Sequence, residues 1–219
     1  VVELSTGADI RLTGRSGLAA VVCVNGGQAA AVPGTWSASL EWLVGRLSAR
    51  APDVLFAEVR YRVKSWRRLE WCVEDARAAV GAVDADRTLL LGFSMGGAVA
   101  VLAADAPRVE ALLGLAPWLP DRLDFATVRG KRLDVLHGAL DRPLPGVPGV
   151  SPSSSRRGFE RALGAGAEGR FTLIPGGLHG VAVRTPLGLV PLARASRWAD
   201  LAGERIATWV RGPAEGGAE

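Results

Sequence analysis

The stretch TLLLGFSMGGAVAVLAA, residues 88–104, decides how this chain is read. It runs from an apolar segment, Thr88–Phe93, through Gly92-Phe93-Ser94-Met95-Gly96-Gly97 into a segment of small residues, Ala98–Ala104. An apolar run of strand length, bounded by a turn signal, reads as a strand buried on both faces. The small residues after it read as a short helix. Gly92, Ser94 and Gly96 stand in the pattern G-x-S-x-G. Small neighbours let the strand and the helix approach each other, so the serine is held out at the end of the sheet with helix N–H groups pointing toward it. Ser94 is therefore the candidate nucleophile. The plainer reading is a helix-capping serine in a glycine-rich turn.

The pattern repeats outward from this point. Val2–Ser5 and Asp9–Thr13 read as a strand pair around Gly7, and Leu18–Val24 as a buried strand broken by Asn25-Gly26-Gly27-Gln28. Helical spacing follows in Ser37–Arg50, where Leu40, Leu43, Val44 and Leu47 share one face. Val54–Val59 is a strand and Leu69–Val83 a helix. Glu110–Leu115 and Leu133–Leu136 are further strands. Phe159–Leu163 marks a helix, Arg170–Ile174 a last strand, and Leu192–Val210 a final amphipathic helix. Alternation of strand and helix along the whole chain predicts an α/β fold with a mostly parallel sheet. Arg142–Ser155, rich in Pro, Gly and Ser, reads as a long loop over one end of that sheet rather than a linker between domains. The expectation is one domain over residues 1–211 and a flexible tail over 212–219.

Composition narrows the function classes. The chain has 219 residues, 48% hydrophobic and 22% charged, which suits a folded globular protein. No apolar run approaches the length needed to span a bilayer, so no membrane partner is expected. No signal-peptide pattern stands in the first residues, which carry Glu3 and Asp9. The two cysteines, Cys23 and Cys72, sit in apolar surroundings and form no spaced motif, the pattern of a reduced, cytoplasmic protein. With two histidines and two cysteines scattered singly, no metal site is expected. A net charge of +4 with 22 acids interspersed is too balanced to argue for nucleic acid.

A serine hydroxyl needs a base, because it is a poor nucleophile at its own pKa. His179 lies in the turn Pro175-Gly-Gly-Leu-His179-Gly180 just after the last strand, at the carboxyl end of the sheet. The other histidine, His137, closes the preceding strand and reads as structural. The acid that orients the base and stabilises its charged form is best supplied by Asp141, just past a strand end. Asp134 falls inside that strand, and Asp121 and Asp124 precede it. The order Ser94, Asp141, His179 is nucleophile, acid, base. An oxyanion would be met by the backbone N–H of Met95 and by a second N–H from the loop after Leu18–Val24, with Gly27 the first choice and Gln28 the second.

With these residues in place the chain resembles the α/β-hydrolases, in particular small, cap-poor members similar to dienelactone hydrolases and carboxylesterases. The resemblance rests on Gly92–Gly97, on His137-Gly-x-x-Asp141 and on Gly177-Leu-His179. Arg60-Tyr-Arg-Val-Lys-Ser-Trp66 and Leu115-Ala-Pro-Trp-Leu-Pro120 are also similar to stretches of bacterial members. One departure is Asn25-Gly26, where relatives often carry His-Gly. The resemblance implies an α/β-hydrolase fold with a mostly parallel central sheet, helices on both faces and minimal or no cap. It implies a serine hydrolase acting on a small ester, thioester or lactone without a cofactor. A silent scaffold serving as a binding module and an acyltransferase with the same site are the alternatives.

Other signals carry less. Gly164-Ala-Gly-Ala-Glu-Gly169 matches a dinucleotide fingerprint but follows a helix and precedes a strand, the reverse of what that turn requires. Arg60–Arg68 mixes five basic residues with Tyr61 and Trp66. It reads first as a solvated loop whose arginines pair with acids, then as a site for an anionic substrate through Arg60, and last as a nucleic-acid groove. Trp36 and Trp118 follow strand ends and are candidates for lining a substrate pocket. Oligomeric state is not encoded in any of these signals.

Overall fold

The structure, a computed structural model, describes residues 1–143 and 149–212. Its strands and helices in chain order are β1 (Val2–Glu3), β2 (Asp9–Thr13), β3 (Gly17–Val24), β4 (Val32–Pro33), α1 (Ala38–Ser48), β5 (Val54–Arg60), β6 (Val63–Lys64) and α2 (Leu69–Ala82). There follow β7 (Ala85–Phe93), α3 (Gly96–Leu102), β8 (Val109–Leu115), β9 (Arg132–Gly138), α4 (Pro152–Gly164), β10 (Phe171–Ile174), β11 (Ala182–Thr185), β12 (Gly188–Pro191) and α5 (Ala195–Arg211). An 8-stranded sheet runs in the order β1-β2-β5-β3-β7-β8-β9-β10. The pairings of β1 with β2 and of β2 with β5 are antiparallel. From β5 to β10 every pairing is parallel.

Both faces of the sheet are covered, which is why its central strands are apolar throughout rather than alternating. On one face α2, α3 and α4 bury Val73, Val80, Val99 and Phe159 against Val22, Leu90 and Leu112. On the other, α1 and α5 bury Leu43, Leu47, Trp198 and Ile206 against Val21, Phe56, Leu89 and Leu113. Alternate residues of one strand thus feed two cores.

Parallel strands all end on one edge, and the loops leaving β3, β7, β9 and β10 meet there. The connection from β8 to β9 holds a single 3-10 turn, Ala126–Val128, so no packed helical cap is inserted at that point. No described helix is long and apolar enough to cross a membrane.

Three expectations need correction. Arg170–Ile174 is not the last strand: β11 and β12 form an antiparallel hairpin between it and α5. Residues 182–191 are mostly exposed and show no clean alternation, so periodicity alone could not find them. A second small pair, β4 with β6, was also hidden by its brevity. Arg142–Ser155 is not all loop, because α4 begins at Pro152, with the Ser151 side chain accepting from Ser154 N–H as an N-cap and proline at the first helical position. Residues 144–148 of that loop, and the expected tail beyond Gly212, lie outside the described residues.

Candidate active site

The turn from β7 into α3 is built from its backbone outward. Ser94 takes a left-handed conformation, φ 56°, rare for a side chain other than glycine. Such strain costs on the order of 1–3 kcal/mol and persists only where the surroundings impose it. Here the surroundings are hydrogen bonds to the end of β8. Ser94 N–H donates to Leu115 O at 3.0 Å, and Ser94 O accepts from Gly97 N–H at 2.9 Å and Trp118 N–H at 2.8 Å. Gly96 packs so closely on Val24 and Asn25 that a side chain there would strike their carbonyls.

His179 follows β10 on a short turn. Its Nε2 stands 3.0 Å from Ser94 Oγ, and its Nδ1 stands 2.7 Å from Asp141 Oδ2. The ring leans on Phe93, with centroids 5.3 Å apart. Asp141 lies just past β9 and its side chain is fully buried. Burial pushes its carboxyl up, but hydrogen bonds from His137 and His179 outweigh this and hold it below the ordinary carboxylate range. The turn of His179 can lie on the end of β9 because residue 138 is glycine: a Cβ there would stand 2.5 Å from the carbonyls of Gly177 and Leu178. Leu140 N–H then donates to Gly177 O at 2.9 Å, tying the Asp141 turn to the His179 turn.

The loop after β3 closes the third side. Asn25 is buried, and its side chain bridges the loop: Nδ2 donates to Thr35 O at 3.1 Å and Oδ1 accepts Gly26 N–H at 2.6 Å. Tyr61 OH donates to Asn25 O at 3.1 Å. Gly26 lies against Ser94, and Gly27 against the Met95 side chain. With Gly26 N–H committed to Asn25, the loop's remaining donors are those of Gly27 and Gln28. Among the described residues no acceptor meets the N–H of Gly27, Gln28 or Met95.

The other carboxylates are placed elsewhere. Asp134 is buried within β9, accepting from Arg132 Nε at 2.7 Å and Arg170 N–H at 2.8 Å. Asp124 Oδ1 accepts from Ala126 N–H at 2.9 Å, just before the 3-10 turn. His137, read from the sequence as structural, is fully buried, and its Nε2 stands 3.1 Å from Asp141 Oδ2 within the His137-Gly-x-x-Asp141 turn.

Trp118 stands beside the elbow through its backbone bond to Ser94. Trp36 and Arg60 line a groove of about 380 Å³ with Arg11, Thr35, Glu41 and Arg184, whose walls do not include Ser94, Asp141 or His179. Trp36 meets the guanidinium of Arg11 at 4.8 Å and that of Arg60 at 5.4 Å. Arg60 also pairs with Asp9, so its charge is already matched. Arg62 pairs likewise with Glu74. Arg60 and Arg62 of the basic stretch are thus paired with acids, while Lys64 donates to Thr35 Oγ1 at 2.8 Å. Among the described residues no group of three or more His, Cys, Asp or Glu side chains could hold a metal ion.

An edge of parallel strands with no helical cap between β8 and β9, and a strained serine between strand and helix, defines the α/β-hydrolase fold in its small form, and this chain has that fold. Solved structures bear the same architecture. MGS-M1, an alpha/beta hydrolase from a Medee basin deep-sea metagenome library, matches at 19% identity with a TM-score of 0.68, covering 91% of each chain. Dienelactone hydrolase from Anabaena variabilis matches at 16% identity and TM-score 0.60, over 93% of this chain and 94% of that one. XC6422 from Xanthomonas campestris, described as a serine hydrolase without lid, matches at 17% identity and TM-score 0.56, over 81% and 83%. No protein-family model matches the chain, and no curated protein does.

Proposed function

We propose that this protein is a serine hydrolase that cleaves a small ester, thioester or lactone through an acyl-enzyme. The observation that carries the reading is the unbroken chain of contacts from Asp141 to His179 to Ser94, at 2.7 and 3.0 Å, on a strained elbow.

Ser94 Oγ attacks the carbonyl carbon while His179 Nε2 takes its proton. Asp141 accepts from Nδ1, which sets the tautomer that leaves Nε2 free and stabilises the imidazolium as it forms. The oxyanion is received by the N–H groups of Met95 and of Gly27 or Gln28, donors with no other acceptor among the described residues. The imidazolium returns its proton to the leaving group, and water activated by His179 then releases the acyl group. Every group needed is a side chain or backbone amide of this chain, so the proposal includes no cofactor. Two buried thiols fit a reduced, cytoplasmic setting, which forms part of the same reading.

The test is turnover of p-nitrophenyl acetate together with labelling by a fluorophosphonate. Wild type should turn over and be labelled. Ser94→Ala should do neither, with turnover down by roughly 10⁶-fold if the three residues act as a unit. More than a tenth of wild-type activity remaining in Ser94→Ala would overturn the reading. Wild type that is neither labelled nor active would favour a silent scaffold, and product formation only with an added alcohol or amine would favour an acyltransferase.

A further inference from the structure

His137 is a second imidazole on the acid, and the proposed hydrolysis does not use it. Its side chain is fully buried. Nε2 donates to Val150 O at 2.9 Å, so Nε2 carries the proton, and it lies 3.1 Å from Asp141 Oδ2 as a close polar contact. Nδ1 is buried with no partner among the described residues. Val150 is held through its N–H as well, which donates to Asp141 Oδ1 at 3.1 Å. His137, Val150 and Asp141 therefore form a closed clasp. The chain returns this close to Asp141 only because residue 149 is glycine: a Cβ there would stand 2.8 Å from Asp141 Oδ1.

The clasp leaves Asp141 Oδ2 facing His179. A carboxylate on a turn has two rotatable bonds, and a small misplacement of an orienting group can cost about 100-fold in rate. We propose that His137 is a positioning residue: its Nε2–H, donated to the Val150 carbonyl and lying 3.1 Å from Asp141 Oδ2, fixes the Asp141 carboxylate where it meets His179 Nδ1.

The charged and titratable groups around this clasp are few. His179 comes from the loop after β10. Phe171 of β10 stacks on the His137 ring with centroids 6.1 Å apart, and Arg156 of α4 lies 4.3 Å from the Phe171 centroid. Removing the His137 donor leaves more of the carboxylate's charge for His179. Whether the extra basicity is felt at Asp141 or at the imidazole, the acidic limb of kcat/KM moves to higher pH.

The inference rests on the proposed serine mechanism, and the experiment separates the two. His137→Gln puts an amide N–H at the level of Nε2, while His137→Asn puts it at the level of Nδ1 and His137→Leu removes it. Leu and Asn should lower kcat roughly 10- to 100-fold with KM within about twofold, and should raise the acidic limb. Gln should restore both. Phe171→Leu, which disturbs the packing on the ring but not its donor, should lower Tm and leave the pH profile in place. Should Leu not fold, the Asn and Gln pair carries the same comparison. Proton NMR gives a readout independent of turnover: the downfield resonance of His179 Nδ1–H should be sharp in wild type, Ser94→Ala and His137→Gln, and lost to exchange in His137→Asn. Asn and Leu variants matching wild type in kcat, acidic limb and resonance would overturn the proposal. Loss of the resonance in Asn alongside an inactive wild type would overturn the hydrolase reading and leave the positioning role standing.

Discussion

Two buried aspartates of the β9 region, Asp134 and Asp141, have different fates because of what faces them. Asp134 is answered by Arg132 and the Arg170 N–H within the sheet. Asp141 faces His179 and His137. Asp141→Asn should lower kcat by about 10⁴-fold with the fold intact, because an amide favours the wrong imidazole tautomer. Asp134→Asn should leave kcat near wild type and lower Tm. The reverse result would reassign the acid. Asp141 also makes a pH prediction. Its carboxyl is held below the ordinary range, so it contributes stability above the unfolded value of about 3.9, lost as pH falls through the folded value. In urea titrations, any stability advantage of wild type over Asp141→Asn should shrink as pH is lowered below about 4.

At the scale of elements, the His179 turn is held from both ends. Its start lies on the end of β9, as described above. Its far end passes into the β11–β12 hairpin, which Ser39 of α1 fastens to the body of the protein. Ser39 is buried, and its Oγ accepts Val181 N–H at 3.0 Å and Ala182 N–H at 3.3 Å while donating to Ala182 O at 3.2 Å. Arg184 adds an exposed pair with Glu41 at 2.8 Å, which counts for less in solvent. Ser39→Ala should leave two buried amides without an acceptor and cost about 1–3 kcal/mol. Because Val181 is two residues from His179, kcat should fall with it while the rest of the protein stays folded. Hydrogen exchange confined to residues 178–191 would show the loosened hairpin. Unchanged exchange and turnover would mean the hairpin is held by packing instead.

The whole molecule sets the size of what can bind and what can react. With only a 3-10 turn between β8 and β9, no helical cap at that connection roofs the site. A long acyl chain would remain in water, and the site would gain little of the roughly 0.8 kcal/mol per buried methylene that rewards an enclosed tunnel. Across p-nitrophenyl esters from acetate to palmitate, kcat/KM should favour acyl groups of about two to six carbons and then stay flat or fall. A steady rise through the long chains would contradict this. The thiols test the integrity of the two cores. Both cysteines are fully buried. Burial pushes the Cys72 thiol up to about 11, and burial beside Glu58 pushes Cys23 well above the ordinary range. Neither should react with Ellman's reagent in the native protein, and both should react in urea. Rapid reaction of either in the native state would show that its core opens.

By itself the sequence determined the α/β alternation, the elbow and the candidate site. The reason is that each is a local pattern: apolar runs of strand length, glycines flanking Ser94, and polar residues placed just past strand ends. The order Ser94, Asp141, His179 could be read because parallel strands deliver their loops to one edge. What the tertiary structure decided depends on neighbours distant in the chain. Trp36 and Arg60 share a groove with Arg11 because β2 lies beside β5, which no spacing reveals. The β11–β12 hairpin is fastened to the body of the protein by Ser39, more than a hundred residues earlier in the chain, and has no clean periodicity of its own. His137 read as a lone structural histidine because its meaning lies in the returning Val150 peptide. A hydrogen bond that closes across a loop leaves no trace in the order of residues, only in where the loop comes back.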